Sequence, residues 1–318
     1  MDNLKAKIRE WEEWLAGDDA NSIRNQIWNM ISGFAVFQSI NECRKHAPKN
    51  DKGEVELNGP VHRFIDRCFF ETQAIAIRRL LDRGPSSGKK SVTSLYVLID
   101  DMQKHCHLLT RGTIIDAHGY PYDYENEARR ITNETFADRG SGVQMMGQDY
   151  GNCKLSEFAH KRIDSLAGVQ ASYRSRNDAI KTQVFDWLKG RLSGCEEIKN
   201  FVDKFLAHPA SPESRAFLEP NESDVTLRRI TNAHETICQT AMFISQMGIL
   251  SEGNGVVAVL PSVQYDYFEH IDKPWATRDT VDRLRNSWTI YKRKTDDWCH
   301  WDWEDDFSSY CVTCCPDS

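Results

Sequence analysis

The apolar and polar positions of this chain alternate with a helical period over most of its length. Leu4, Ile8, Trp11 and Leu15 recur at three- and four-residue spacings and predict a helix over 3–16, broken by Asp18 and Asp19. Ile23, Ile27, Ile31, Phe34, Phe37 and Ile40 carry the pattern over 20–45; Gly33 lowers the propensity there without ending the run. After a polar loop, Phe64, Ile65, Cys68, Phe69, Ile75 and Leu80 predict a helix over 61–83. Ser91 is a good N-cap for 92–109, whose inward positions are Leu95, Leu98, Ile99 and Met102. Further helices are predicted over 153–167, over 178–208 with a break near Gly194, and over 223–250 with Ser223 as N-cap. Ile180, Val184, Trp187 and Leu188 mark the second of these, and Leu227, Ile230, Ile237, Ala241 and Ile244 the third. The fold class that follows is all-α, a helical bundle.

The pattern weakens in two places. Between about 110 and 152 it reads as a long irregular insertion, with HGYPYDYENEARR as a turn running into a short helix. Within it, 137–152 holds four glycines and little periodicity, which predicts an irregular or mobile segment. Beyond residue 250 the texture changes. VVAVLPSV has strand character but no second strand to pair with, one more helix begins after Thr277, and the end is acidic and aromatic. The domain reading is a bundle over 1–250 with an insertion around 110–152, then an acidic, aromatic and cysteine-rich extension over 251–318.

Charge sharpens this division. The net charge is −7, and 13 of the 47 acids but only 7 of the 40 Lys/Arg lie beyond residue 250, leaving 34 and 33 before it. The bundle is near neutral, so no global field recruits nucleic acid. No apolar run approaches a membrane span, and the charged, amphipathic start has no signal-peptide core. Ten cysteines lie mostly inside helical patterns, with Cys43, Cys68, Cys106 and Cys238 reading as small buried hydrophobes. These features predict a cytoplasmic protein in a reducing compartment.

Candidate chemistry centres on EEIKNFVDKFLAHPASPESR, residues 196–215. Ile198, Phe201, Val202, Phe205 and Leu206 form its apolar stripe; Lys199, Asp203 and Lys204 lie off it. Pro209 disfavours helical continuation, which puts His208 at the helix end, where the dipole favours an imidazolium. His208 is either a site or a cap. Lys204 one turn earlier, Arg215 beyond the turn, and Arg78 or Arg79 from the end of the 61–83 helix are its candidate cationic neighbours. A structural alternative pairs His208 with Asp82. Arg78 and Asp82, four apart, can also pair with each other.

Other motifs add little. GPSSGKKS has three residues between its glycines where a phosphate loop needs four, and a helix, not a strand, precedes it. His105 and His107 point to different helix faces. Cys299, His300, Cys311 and Cys314 are the one metal-like set, and tetrahedral zinc is the one cofactor the sequence suggests.

Three segments, FFETQAIAIRRLLD, SVTSLYVLIDD and IKNFVDKFLAHPASPESR, make the chain resemble the HEPN superfamily of helical bundles, and within it the bacterial abortive-infection branch. The resemblance spans about residues 20–250. It implies a metal-independent ribonuclease in which an arginine precedes a histidine by a short spacing and two such helices meet across a dimer. His208 matches the histidine. Phe201, Val202 and Asp203 occupy the positions open to the arginine, so that residue is missing. Lys199 and Lys204 are nearby but lack the planar fork that clamps a phosphate.

Two functions follow. One is a non-catalytic interaction module of a toxin or antiphage-defence type, binding a protein partner or a second copy of itself. The other is an endoribonuclease with His208 as general acid/base and Lys204 and either Arg79 or Arg215 stabilising the phosphorane. Its partner would be RNA; neither function involves a membrane.

Overall fold

The structure is a computed structural model, describing residues 2–84, 92–137, 147–207, 225–250, 268–271, 273 and 278–299. It divides into two compact units, Met1–Leu260 and Pro261–Ser318. Among the described residues there are eleven α-helices and no strand; only two isolated bridges occur, Lys49 with Val55 and Thr110 with Ala179.

The first unit opens with α1 (Asp2–Ala16), which buries the predicted face of Leu4, Ile8, Trp11 and Leu15. Helix α2 (Ile23–Lys45) starts where the Ser22 hydroxyl accepts from the Asn25 amide. Helix α3 (Gly59–Leu80) has Asn58 as N-cap and Pro60 in its first turn, where a missing N–H costs nothing. The two pack side by side. Phe37 stacks on Phe69 with ring centroids 3.7 Å apart, and a Cβ on Gly33 would come within 3.1 Å of Gln73 Nε2. The glycine that weakens α2 therefore permits its close approach to α3.

Helix α4 (Leu95–Lys104) buries Leu95, Leu98, Ile99 and Met102 as predicted. It begins later than expected, because Ser94, not Ser91, caps it; the Ser94 hydroxyl accepts from the Val97 amide and donates to the Asp82 carbonyl. Ser91 lies outside the described residues. The weak stretch from 110 is largely helical, with α5 (Arg111–His118) and α6 (Tyr124–Ala137) before the undescribed 138–146. Helix α5 shows no readable period because it is two turns long and its buried apolar side chains are Ile114 and Ile115.

Helix α7 (Gln148–Ala167) ends at Gly168, whose φ of 68° a side chain would resist. Helices α8 (Thr182–Ser193) and α9 (Glu196–Phe201) flank the predicted break at Gly194. Of the expected inward positions, Ile180 and Leu188 are buried and Val184 packs against the core, whereas Trp187 is half exposed and Phe185 is buried in addition. The chain then widens into a π-helix, Val202–Ala207. Helix α10 (Leu227–Ser245) is capped by Thr226 and buries Ile230, Ile237, Ala241 and Ile244; Ser223 lies outside the described residues. One apolar core runs through these helices. Of the four cysteines expected inside, Cys43 is exposed and Cys68, Cys106 and Cys238 are half-buried, whereas Cys153 and Cys195 are buried. The described part of the second unit is chiefly α11 (Arg278–Cys299). No helix among the described residues is long and apolar enough to cross a membrane.

Candidate functional site

Helix α9 and the π-helix lie along α3, as expected of the segment leading to His208. In the π segment Val202 is buried, and Asp203, off the apolar stripe, meets the end of α3. Arg78 Nε donates to Asp203 Oδ1 at 2.9 Å, and Lys199 Nζ to Asp203 Oδ2 at 3.0 Å. A second Arg78 nitrogen donates to Asp82 Oδ2 at 3.0 Å. Partial burial alone would raise the Asp203 carboxyl, but the hydrogen bonds from Arg78 and Lys199 outweigh it and hold Asp203 below the usual carboxylate range. The expected Arg78–Asp82 pair is therefore present, as part of a larger brace.

Beside this brace lies a cavity of about 430 Å³, lined by Asp19, Asn21, Gln26, Arg78, Arg79 and Thr93 among others. Arg79 is exposed, and its one described hydrogen bond is a long one, 3.5 Å to Asn21 Oδ1. Of the residues predicted from sequence, Arg79 thus lies in this pocket, and Lys204 sits half-buried on the π segment beside Asp203. His208 and Arg215 lie outside the described residues, as do the side chain of Cys299 and all of His300, Cys311 and Cys314. No other group of described His, Cys, Asp or Glu side chains is arranged to hold a metal.

The densest polar cluster was not singled out by the sequence. Arg111, wholly buried at the start of α5, donates from Nε to Asp178 Oδ2 at 2.8 Å and from Nη2 to Asp164 Oδ1 at 2.8 Å. It also donates to the His160 carbonyl at 3.0 Å and to His160 Nδ1 at 3.1 Å. His160 Nε2 then donates to the Tyr122 carbonyl at 3.2 Å, which fixes the neutral tautomer. Burial, with Arg111 and Arg174 beside it, pushes His160 down to about 4. Arg174 grips both oxygens of Asp164 and the Tyr124 hydroxyl. Backbone bonds from the Arg111 amide to the Asp178 carbonyl and from Gly112 to Arg176, both 2.8 Å, complete the lock between α5, α7 and the 169–181 loop. The signal was present in the sequence: Arg111 stands between Leu108-Leu109 and Ile114-Ile115, where an arginine is buried only if fully paired.

A cavity of about 410 Å³ between α9 and α10 borders Cys195, whose thiol burial pushes up to about 11. It is therefore protonated at neutral pH and a poor nucleophile. Among the described residues the His105, His160 and His118 rings bond backbone carbonyls or Arg111, not a serine hydroxyl or a cysteine thiol. Compared with protein-family models, curated proteins and solved structures, the chain matches none.

Proposed function

We propose that the chain is a HEPN-like helical protein of a toxin or antiphage-defence type, acting as a non-catalytic interaction module. The observation that carries this reading is the Arg78–Asp203–Lys199 brace. Asp203 occupies one of the positions open to the arginine in the resembling family, and it neutralises cations where a ribonuclease would need them uncommitted. The interaction role draws on α11, where Val281, Leu284, Trp288 and Tyr291 are exposed at three-, four- and three-residue spacings. Its occupant is a protein partner or a second copy.

Incubating the full chain and H208A with total RNA under chelation tests the catalytic half of this reading. Unchanged RNA with both proteins is the expected result. Cleavage by the wild type that H208A abolishes would establish instead a metal-independent ribonuclease using His208.

A further inference from the structure

We propose that the cavity at the end of α3 binds a small phosphorylated molecule, with Arg79 as its charged anchor. The described charged residues lining the cavity, Asp19, Asp82, Arg78 and Arg79, balance in formal charge, and what each side chain is bonded to decides where an anion can sit. Arg78 is committed to Asp203 and Asp82. Asp19 Oδ1 accepts from the Asn21 amide at 2.6 Å, and Asp82 Oδ1 from the Gly84 amide at 2.9 Å. Gln26 spends its amide hydrogens on the Asn21 and Thr93 carbonyls at 2.6 and 3.0 Å. Among the described residues Arg79 forms no ion pair and makes a single long hydrogen bond, 3.5 Å to Asn21 Oδ1, so its guanidinium is the uncommitted one of the pair.

Two neutral donors line the same cavity. The Asn21 side-chain amide nitrogen and the Thr93 hydroxyl have no partner among the described residues. An arginine fork, an amide and a hydroxyl reach this cavity from three separate elements: α3, the α1–α2 connection and the approach to α4. A carboxylate presents its acceptors in a plane and is satisfied by the fork. A phosphate presents three oxygens tetrahedrally and can use all three donors, with the fork bidentate on two of them. The volume, about 430 Å³, suits a metabolite-sized ligand and exceeds what a bare anion fills. The other oxygen of Asp19, without a partner among the described residues, is an acceptor for a hydroxyl or amino group on the ligand body. The ligand class is therefore a phosphate monoester of a small polar molecule. This inference rests on the pocket alone and holds whichever reading of His208 is right.

The test is calorimetric titration of the full chain with adenosine 5′-monophosphate, ribose 5-phosphate, inorganic phosphate and adenosine, at low and at physiological salt. The phosphate esters are expected to bind, adenosine not, and affinity to fall as salt rises. Arg79→Gln is expected to weaken ester binding at least tenfold, and Thr93→Val severalfold. Arg79 is exposed, so its variant should fold; circular dichroism checks this. Arg129→Gln, an exposed arginine on α6, is the control and should bind like wild type. No ester binding at millimolar concentration, equal binding by folded Arg79→Gln, or adenosine binding as well as its phosphate would each overturn the proposal.

Discussion

Arg78 Nε donates to Asp203 Oδ1 across 2.9 Å, joining two residues 125 positions apart and fixing the π-helix to the end of α3. The pair is one-third exposed, so its Coulomb energy is screened, but Asp203 also holds Lys199 and shares Arg78 with Asp82. Asp203→Ala leaves Arg78 and Lys199 without this acceptor. A loss of about 1–2 kcal/mol is expected in urea unfolding, larger than for a lone surface pair. A loss within error would mean that the brace is decorative.

Arg111 sets a harsher condition. Truncation to methionine leaves the nearly buried Asp178 carboxylate without its one described cation, Asp164 with Arg174 alone, and the His160 carbonyl without its arginine donor. About 3–5 kcal/mol should be lost, the usual cost of breaking a buried charge network from one side. Arg174 still pairs Asp164, so the damage should concentrate at Asp178 and the 169–181 loop. Hydrogen exchange at the Arg111 and Gly112 amides, which bond to that loop, reads this directly.

How far the sequence told this in advance differs by element. Helices with an uninterrupted stripe, such as α1 with Leu4, Ile8, Trp11 and Leu15, were legible because burial follows the 3.6-residue period. Helix α5 was not, because eight residues give too few repeats and its anchoring residue is polar. Trp187 misled because bulk suggests burial, while its ring instead lies at the rim against Phe243. Asp203 was placed off the apolar stripe, but its partner Arg78 is 125 residues away, and no local pattern reports a contact of that separation. Of the predicted site, Arg79 was legible as a cation at a helix end, whereas its lack of an acidic partner among the described residues depends on where Asp82 and Asp203 turn.

Two buried histidines predict a pH response. Burial holds His234 down to about 4, with its Nε2 unpartnered against Phe34, and His160 sits at about 4 beside Arg111, Arg174 and Asp164. Each folded pKa lies below the unfolded value near 6.5, so the unfolded chain binds more protons between those limits. Their contribution is therefore complete above about pH 6.5 and is lost as pH falls toward 4. Each histidine should cost about 1–2 kcal/mol between pH 7 and pH 5. His234→Phe should flatten the urea midpoint over that range; an unchanged slope would refute the assignment.

The last prediction concerns the exposed ridge of α11. Trp288 is 78% and Leu284 57% exposed, at positions that repeat with the three–four alternation of a coiled-coil seam. Their replacement should cost the unit little, because neither side chain is buried: L284E/W288E should shift the thermal midpoint hardly at all. What it should remove is docking. Arg285 and Lys292 flank the ridge on one side, at seam-adjacent positions. Two copies laid together would bring like charges into register, whereas an acidic helix would meet them with opposite charge. Sedimentation of the full chain at low salt should therefore show a monomer. A designed helical peptide with leucine seams and glutamate flanks should bind in a salt-sensitive way, and L284E/W288E should not bind it. A lysine-flanked peptide bound equally well would show that charge does not choose the partner. A stable low-salt dimer abolished by L284E/W288E would instead assign the ridge to a second copy.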